Sequence, residues 1–441
     1  MVKKENNIKK QTVFPVSLGC SKNQVDLENI LSEFVQSKFD LSENIDEAEY
    51  IIINTCGFID SAKEESIDTI LDICQASSPE QKIIVSGCLS QRYAEQLPRE
   101  MPEVDFWTGN YAQGKILKLI GHAKLKDLCP REDMRRVRLG NTPHHAYLKI
   151  AEGCNRSCSF CAIPSIRGKQ KSVDIADLVA EAQYLHQNGV QELSLIAQDL
   201  TYYGREKSAN YDLETLLRSL LEYTDIPWIR LMYAYPAFIN DSLLQLIAEN
   251  PRICKYLDMP IQHASTNMLQ QMRRNYTGPE LRSLLRKIRQ QVPDIALRST
   301  VLVGFPGETE ADFQELVELI EEVRFDRLGA FAFSPEEGTH ASTLKLPPVS
   351  VDLAMERYNI INERQNYISL ERNQNLIGSE MTIIIDEVAE ESEFHYYGRS
   401  QWDALEVDNV VRLLDGSAQV GDFVRVRVVD ASAHDLDATF F

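Results

Sequence analysis

The apolar positions of this chain fall into short runs separated by helical stretches, and the pattern changes character twice. Near the start, Val13-Phe14-Pro15-Val16-Ser17-Leu18, Tyr50-Ile51-Ile52-Ile53-Asn54 and Lys82-Ile83-Ile84-Val85-Ser86 are nearly unbroken apolar runs. Between them Val25, Leu27, Ile30, Leu31 and Phe34 recur at helical spacing over 24–34, and a second helix is predicted over 61–74. Runs that do not alternate are buried on both faces, which predicts a parallel sheet with crossover helices. A connecting region over 105–143 carries turn signals at Gly109-Asn110, Pro130 and Asn141-Thr142-Pro143.

A longer alternation follows, with strands predicted over 146–150, 192–197, 228–233, 256–260, 295–303 and 327–333. The helices between them are predicted over 175–186, 213–221, 242–248, 279–289 and 311–323. Six βα repeats with no sign of eight predict an incomplete (βα)6 barrel, whose chemistry belongs at the C-terminal ends of its strands. A charged helix over 352–376 is predicted to pack on that barrel. From Gly378 the runs become short, over 381–385, 393–398, 410–414 and 424–429, and predict a small antiparallel β-barrel. The fold class is therefore α/β, with domains at 10–125, 140–375 and 376–441.

Composition narrows the class. The chain has 441 residues, 44% hydrophobic and 25% charged, as in ordinary globular proteins of about three domains. Nine cysteines, an odd number, do not suggest a secreted disulfide framework. Pro15 interrupts the first apolar run, which is too short for a signal core, and no stretch approaches membrane-spanning length. A cytoplasmic protein without a membrane partner is expected. The net charge is -20, and from Gly378 onward fourteen Asp and Glu face only Arg399, Arg412, Arg425 and Arg427, with no Lys. That balance argues against gripping a phosphate backbone and favours a basic partner.

The candidate chemistry centres on cysteine. Cys154, Cys158 and Cys161 lie just past the first barrel strand, in a loop bounded by Gly153 and Pro164. A structural zinc wants a fourth Cys or His, and none follows nearby. An iron–sulfur cube normally takes four thiolates, so three leave one iron open for a substrate or cofactor. A zinc knuckle or unrelated buried cysteines is the alternative. Cys20, Cys56 and Cys88 each end a predicted strand beside a glycine. Neighbouring parallel strands lie about 5 Å apart, so these thiols can meet on a second centre. Singly, each reads as a small buried residue; as a set they do not. Cys74, Cys129 and Cys254 read as structural.

Polar residues at the other barrel strand ends are Gln198-Asp199, Tyr235, Gln262-His263, Arg298, Thr300 and Gly304. Gly304-Phe305-Pro306-Gly307-Glu308-Thr309 allows close approach to the backbone and opens a helix that can receive a carboxylate. His263 reads first as a satisfied core histidine, with proton transfer as the alternative. Glu308 is explained equally well as a first-turn helix residue.

The Cys-x3-Cys-x2-Cys spacing, with Phe160 before the third Cys, resembles the radical S-adenosylmethionine (SAM) loop. Nearly the full length resembles the methylthiotransferases of that superfamily, with a C-terminal TRAM barrel. The strings that carry this are Leu18-Gly19-Cys20-Ser21-Lys22-Asn23, Asn54-Thr55-Cys56-Gly57-Phe58-Ile59-Asp60, Ala162-Ile163-Pro164-Ser165-Ile166-Arg167-Gly168 and Gly398-Arg399-Ser400-Gln401-Trp402-Asp403-Ala404. They look closest to the branch that modifies an aspartate of ribosomal protein S-twelve. The resemblance implies a [4Fe-4S] cluster on Cys154, Cys158 and Cys161 whose open iron chelates SAM, with Phe160 near the adenine and Gln198, Arg298 and Gly304 as further SAM contacts. It implies a second [4Fe-4S] cluster on Cys20, Cys56 and Cys88 that carries sulfur. One SAM yields a 5'-deoxyadenosyl radical, another the methyl group, and the methylthio group goes to the aspartate β-carbon. No side chain is assigned as a catalytic acid or base.

The implied partners are S-twelve, free or in the small subunit, and an electron donor such as flavodoxin or ferredoxin; nothing demands more than a monomer. Two alternatives stay open. One is the sister activity that methylthiolates an adenosine of transfer RNA, which would want a basic TRAM face. The other is a non-catalytic iron–sulfur carrier, which leaves the open iron unexplained.

Overall fold

The structure, a computed structural model, describes residues 11–122, 136–140, 142–208, 211–390 and 393–441. The chain forms two compact units. The first comprises the chain up to Leu139 together with Ala162–Gly168, and the second comprises Gly140–Cys161 and Lys169–Phe441.

The first unit is built on a five-stranded sheet. In spatial order its strands are Asp40–Leu41, Thr12–Ser17, Tyr50–Thr55, Lys82–Gly87 and Phe106–Trp107, and every pairing is parallel. The predicted apolar runs form the three central strands. The two edge strands, each two residues long, have no run long enough to be read from sequence. Burial is two-sided: Tyr50 and Ile52 pack with Leu27, Ile30, Leu31 and Phe34 of helix Ser21–Gln36. Ile51 and Ile53 pack with Ile70 and Ile73 of helix Asp60–Ala76. The strand order reverses between Thr12–Ser17 and Tyr50–Thr55, and sheets of this kind bind ligands in the crevice beyond the strand ends at that reversal.

The second unit opens with a six-stranded parallel sheet in the order Arg327–Ala332, Ala296–Val303, Ile253–Asp258, Trp228–Leu231, Glu192–Ile196 and His145–Lys149. All five pairings are parallel and the two outer strands do not pair, so the barrel is incomplete as predicted. Leu193, Leu195, Ile229, Leu231, Ile253 and Leu257 on one face pack the surrounding helices. The opposite parity brings Glu192, Ser194, Arg230, Tyr256, Asp258 and Arg298 to the other face, all but Arg298 buried.

The C-terminal strands Glu380–Val388, Tyr396–Ser400, Val411–Leu413, Leu436–Phe440 and Phe423–Ala431 close into a barrel in that order. A ring of five strands cannot alternate direction all the way round. Four ladders are antiparallel, and Val411–Leu413 pairs in parallel with Leu436–Phe440. That last strand is absent from the sequence reading. Helix Val351–Gln374 packs on Arg327–Ala332 and reaches the small barrel, where Asn373 donates to the Ser432 carbonyl at 2.9 Å.

Charge joins the small barrel to the larger one within this unit. Arg399 pairs with Glu192 at 2.8 Å and with Asp386 at 2.7 Å. Arg230 pairs with the same Glu192 at 2.6 Å and donates to the Gln401 carbonyl at 2.7 Å. Asp403 takes Arg327, while Asp408 takes Arg298 and the Tyr256 hydroxyl. His145 lies fully buried in this network, its Nε2 3.0 Å from the Ser194 hydroxyl. Burial pushes its pKa down to about 3, with Arg399 and Arg230 adding to the shift and Glu192 and Asp386 opposing it.

The imidazole therefore stays neutral when folded, whereas an unfolded histidine takes a proton near its ordinary value of about 6.5. Its contribution to stability is present above that value and is lost as pH falls toward 3. His145→Gln is expected to flatten the loss of stability on acidification between about pH 7 and pH 4 in urea unfolding; parallel slopes for both proteins would refute this.

Candidate functional site

In the first unit, register sets the three thiols. Ser17 is level with Asn54, Asn54 with Ser86, and Thr55 with Gly87. Cys20, Cys56 and Cys88 therefore leave the C-terminal ends of three adjacent strands, at the strand-order reversal. Cys20 caps helix Ser21–Gln36 and is exposed, Cys56 is half-buried, and Cys88 opens the short helix Cys88–Arg92 and is buried. Gly87 permits that turn. Its φ is +105°, and a Cβ there would stand 2.5 Å from the Thr55 carbonyl oxygen. A Cβ on Gly19 would likewise strike Cys56 at 2.7 Å, so Cys20 and Cys56 approach because the residue between their loops has no side chain.

The thiols feel one another. Burial is the largest cause of a raised pKa at Cys56 and Cys88, and Cys20 adds to both. Cys88 is pushed up to about 12, with Arg167 opposing the shift. Asn23 pins the loops together, donating to the Leu18 and Thr55 carbonyls at 3.0 Å each, while Asn54 donates to the Asn23 carbonyl at 2.6 Å. Among the described residues no group of three His, Cys, Asp or Glu side chains is set to hold a metal ion as it stands. The thiols are gathered by register and by shared polar partners, and three crowded anions would need the compensating charge that an inorganic centre brings.

In the second unit, Cys154, Cys158 and Cys161 follow strand His145–Lys149, at the predicted end of the barrel. The loop is stitched down at Ser159, whose N–H donates to the Met272 carbonyl at 3.1 Å and whose hydroxyl donates to the Gln271 carbonyl at 2.8 Å. Phe160 packs into an apolar cluster of Met268, Met272, Phe305 and Ala341. Burial raises the Cys154 thiol to about 11, with Asp199 and Cys158 adding to it and the Arg156 N–H opposing it.

Two arginines border these thiols. Arg274 donates to the Cys158 sulfur at 3.4 Å, the Tyr276 hydroxyl at 2.9 Å and the Pro260 carbonyl at 2.7 Å. Arg156 pairs with Asp199 at 2.6 Å and lies 3.8 Å from the centroid of Tyr235 and 4.5 Å from that of Phe238. Of the predicted polar strand ends, Asp199 and Tyr235 thus reach the thiol loop through Arg156. Gln198 is half-buried and its Oε1 accepts no hydrogen bond from the described residues, which suits a ligand that brings donors.

The remaining residues have partners within the fold. Arg298 is bound by Asp258 at 3.0 Å and Asp408 at 3.2 Å. A Cβ on Gly304 would stand 2.5 Å from Ala354 of the long helix, so its lack of a side chain admits that helix. The Gly304 N–H donates to Glu308, which also pairs with Arg357. His263 is fully buried, with Nδ1 accepting from Ala264 at 2.9 Å and Ser265 at 3.0 Å, and it faces Glu308 at 3.6 Å. Thr300 offers its carbonyl to Gln262 at 2.9 Å. Cys74 lies in helix Asp60–Ala76 and Cys254 is buried in strand Ile253–Asp258, away from both thiol sets along the chain. Cys129 lies outside the described residues.

Comparison with known proteins gives this arrangement a family. Residues 12–109 match the uncharacterized protein family UPF0004, residues 148–320 the radical SAM superfamily and residues 377–440 the TRAM domain. Ribosomal protein uS12 methylthiotransferase RimO of Citrifermentans bemidjiense is 44% identical over 438 residues, covering 97% of this chain and 98% of that protein. The protein of the same name from Geobacter sulfurreducens is also 44% identical, with the same coverage. The chain belongs to this family of radical SAM methylthiotransferases. Membership implies a [4Fe-4S] cluster and SAM. A solved radical SAM methyltransferase, TsrM from Kitasatospora setae, shares the fold with a TM-score of 0.53 at 13% identity over 73% of each chain. Among the described residues no helix is long and apolar enough to cross a membrane.

Proposed function

We propose that this chain transfers a methylthio group to the β-carbon of an aspartate in ribosomal protein uS12, the S-twelve protein. The observation that carries this reading is the pair of three-thiol sets, each at the C-terminal ends of its own parallel sheet, in a chain of this family. Cys154, Cys158 and Cys161 would hold the cluster that engages SAM, and Cys20, Cys56 and Cys88 a second cluster. When bound, these centres supply one-electron cleavage of SAM, able to open an inert C–H bond, and a source of sulfur that a further SAM methylates. The chain's own residues hold the sulfurs, with Arg274 donating to Cys158, and Phe160 gives the SAM loop an apolar flank. Gln198 offers an acceptor to SAM. The division into 10–125, 140–375 and 376–441 assigns one task to each part: sulfur, radical and substrate.

The charge of the small barrel supports a basic protein as substrate. Its four arginines are all engaged: Arg399 by Glu192 and Asp386, Arg412 by Asp437, and Arg425 and Arg427 by Glu380. Asp386, Asp403 and Asp408 are likewise turned inward to cations of the same unit. Arg425 and Arg427 stay exposed around the single Glu380, but they are outnumbered by exposed carboxylates that include Glu387, Glu390, Glu393, Glu406, Asp415, Asp422 and Asp430. A face of this sign steers a basic partner toward it and repels a phosphate backbone. We assign the electrons to a small flavin or iron–sulfur protein, the setting to the cytoplasm and the working form to a monomer.

The test is mass spectrometry of uS12 and of transfer RNA after anaerobic incubation with the reconstituted enzyme, SAM, sulfide and reductant. A methylthio mass gain on an aspartate peptide of uS12 is the expected result. A gain on transfer RNA alone would overturn the substrate assignment.

A further inference from the structure

The sulfur of Cys88, the most buried thiol among the described residues of the first unit, has a cationic neighbour that the proposed reaction does not use. Arg167 belongs to the segment Ala162–Gly168, which is part of this unit. Its guanidinium is spread over three acceptors. Nε donates to the Cys88 sulfur at 3.2 Å, one terminal nitrogen to the Asp26 carboxylate at 3.0 Å, and the other to the Asn23 side-chain oxygen. The Arg167 side chain is 2% exposed and that of Asp26 3%. The segment is anchored from both sides: Asn110 donates to the Ile166 carbonyl at 2.7 Å, and Ala162 and Ile166 pack with Cys88.

Burying a guanidinium is costly, and Asp26 offsets its charge. That pairing leaves the Nε–H, and a neutral thiol is a weak acceptor for so strong a donor. As a thiol Cys88 donates to the Asn23 side-chain oxygen at 3.6 Å; once a bound centre takes that proton, the Nε–H faces an anionic sulfur, and hydrogen bonds to an ionised acceptor are roughly twice as strong as those between neutral groups. Asn23 couples the two, since it takes Arg167 on its oxygen and ties the Cys20 and Cys56 loops together through its amide. A rigid planar fork held at three points cannot drift from the sulfur.

We propose that Arg167 is a positioning residue for the second cluster, resting on the reading that Cys20, Cys56 and Cys88 hold one. Its Nε–H donates to the Cys88 thiolate, fixes that ligand in place, and favours the reduced, more negative state of the centre. Hydrogen bonds to ligand sulfurs and local charge are among the factors that set the reduction potential of such clusters.

The test uses the full chain with Cys154, Cys158 and Cys161 all replaced by Ala, so that any cluster present belongs to the first unit. In that background Arg167→Lys and Arg167→Met are compared with the parent by iron content and by potentiometric titration followed by electron paramagnetic resonance. The Met variant is expected to move the midpoint to lower potential, and the Lys variant to fall between it and the parent. If Met loses the iron, the Lys variant decides: a midpoint displaced to lower potential supports the proposal, and a raised midpoint or loss of iron from both variants overturns it. An unchanged midpoint in every iron-retaining variant overturns it. Absence of iron in the parent with Arg167 intact would instead overturn the reading of the cluster itself.

Discussion

Cys158→Ala is expected to reduce formation of 5'-deoxyadenosine from SAM to background, with a fall in bound iron of about one cluster, because a three-thiolate site deprived of a ligand no longer holds a cube with one open iron. Cys158 also ties the loop to the barrel, accepting from Arg274, which is itself fixed by Tyr276 and Pro260. Cys74→Ala is the matched control. Its thiol sits in a helix outside both sets, so iron and SAM cleavage should both persist. The measurement is anaerobic chromatography of the products beside an iron assay. Full cleavage by the Cys158 variant would remove this loop from the reaction.

The second large effect is on stability. Glu192 is fully buried between Arg230 and Arg399, at 2.6 and 2.8 Å. Its pKa is held far below the usual carboxylate range: burial, the largest cause, would raise it, and the two arginines overcome burial. Glu192→Ala leaves two buried guanidinium groups short of a partner. Breaking a buried pair in this way costs about 3–5 kcal/mol. Asp386 still neutralises part of Arg399, so the lower end of that range is expected. Urea unfolding of the second unit should show the loss, and limited proteolysis should cut sooner within Glu380–Phe440. Replacing Glu192 and Arg399 together, by Gln and Met, should cost less than the sum of the single changes, since the two share one network. Strict additivity would mean that the pair is not the link between the two barrels.

Most strands and helices were legible because their signals are local. Tyr50-Ile51-Ile52-Ile53 can be buried on both faces only in a covered parallel sheet, and the structure covers both. Leu436–Phe440 escaped notice because Leu-Asp-Ala-Thr-Phe is short and only alternately apolar. Its place is set by parallel pairing with Val411–Leu413, some distance back along the chain. Gly304 was legible as a position where something approaches the backbone; what approaches, Ala354 of a helix far along the chain, was not.

Arginine was the least legible residue. Arg156 lies in the cysteine loop and Arg167 in the string that follows it, while Arg274 lies in no motif, and an arginine read alone belongs to a solvated face. Whether it is instead desolvated against a sulfur depends on neighbours brought from elsewhere: Asp26 and Asn23 for Arg167, Tyr235 and Tyr276 for Arg274. The same holds for the acidic C-terminal barrel. Its charge count was visible, but Asp386, Asp403 and Asp408 proved to be internal partners of arginines, and only the remainder faces outward.

By itself, then, the sequence determined the kind and order of the main elements, the six thiols and the sign of the last domain's charge, because periodicity, side-chain chemistry and net charge are properties of a chain read in order. Only the tertiary structure decided which strand ends stand side by side, which glycine makes room for which neighbour, and which charges are spent inside. Those outcomes rest on sheet register and close packing between residues up to about two hundred positions apart, as at Arg399 and Glu192, and no local pattern encodes them.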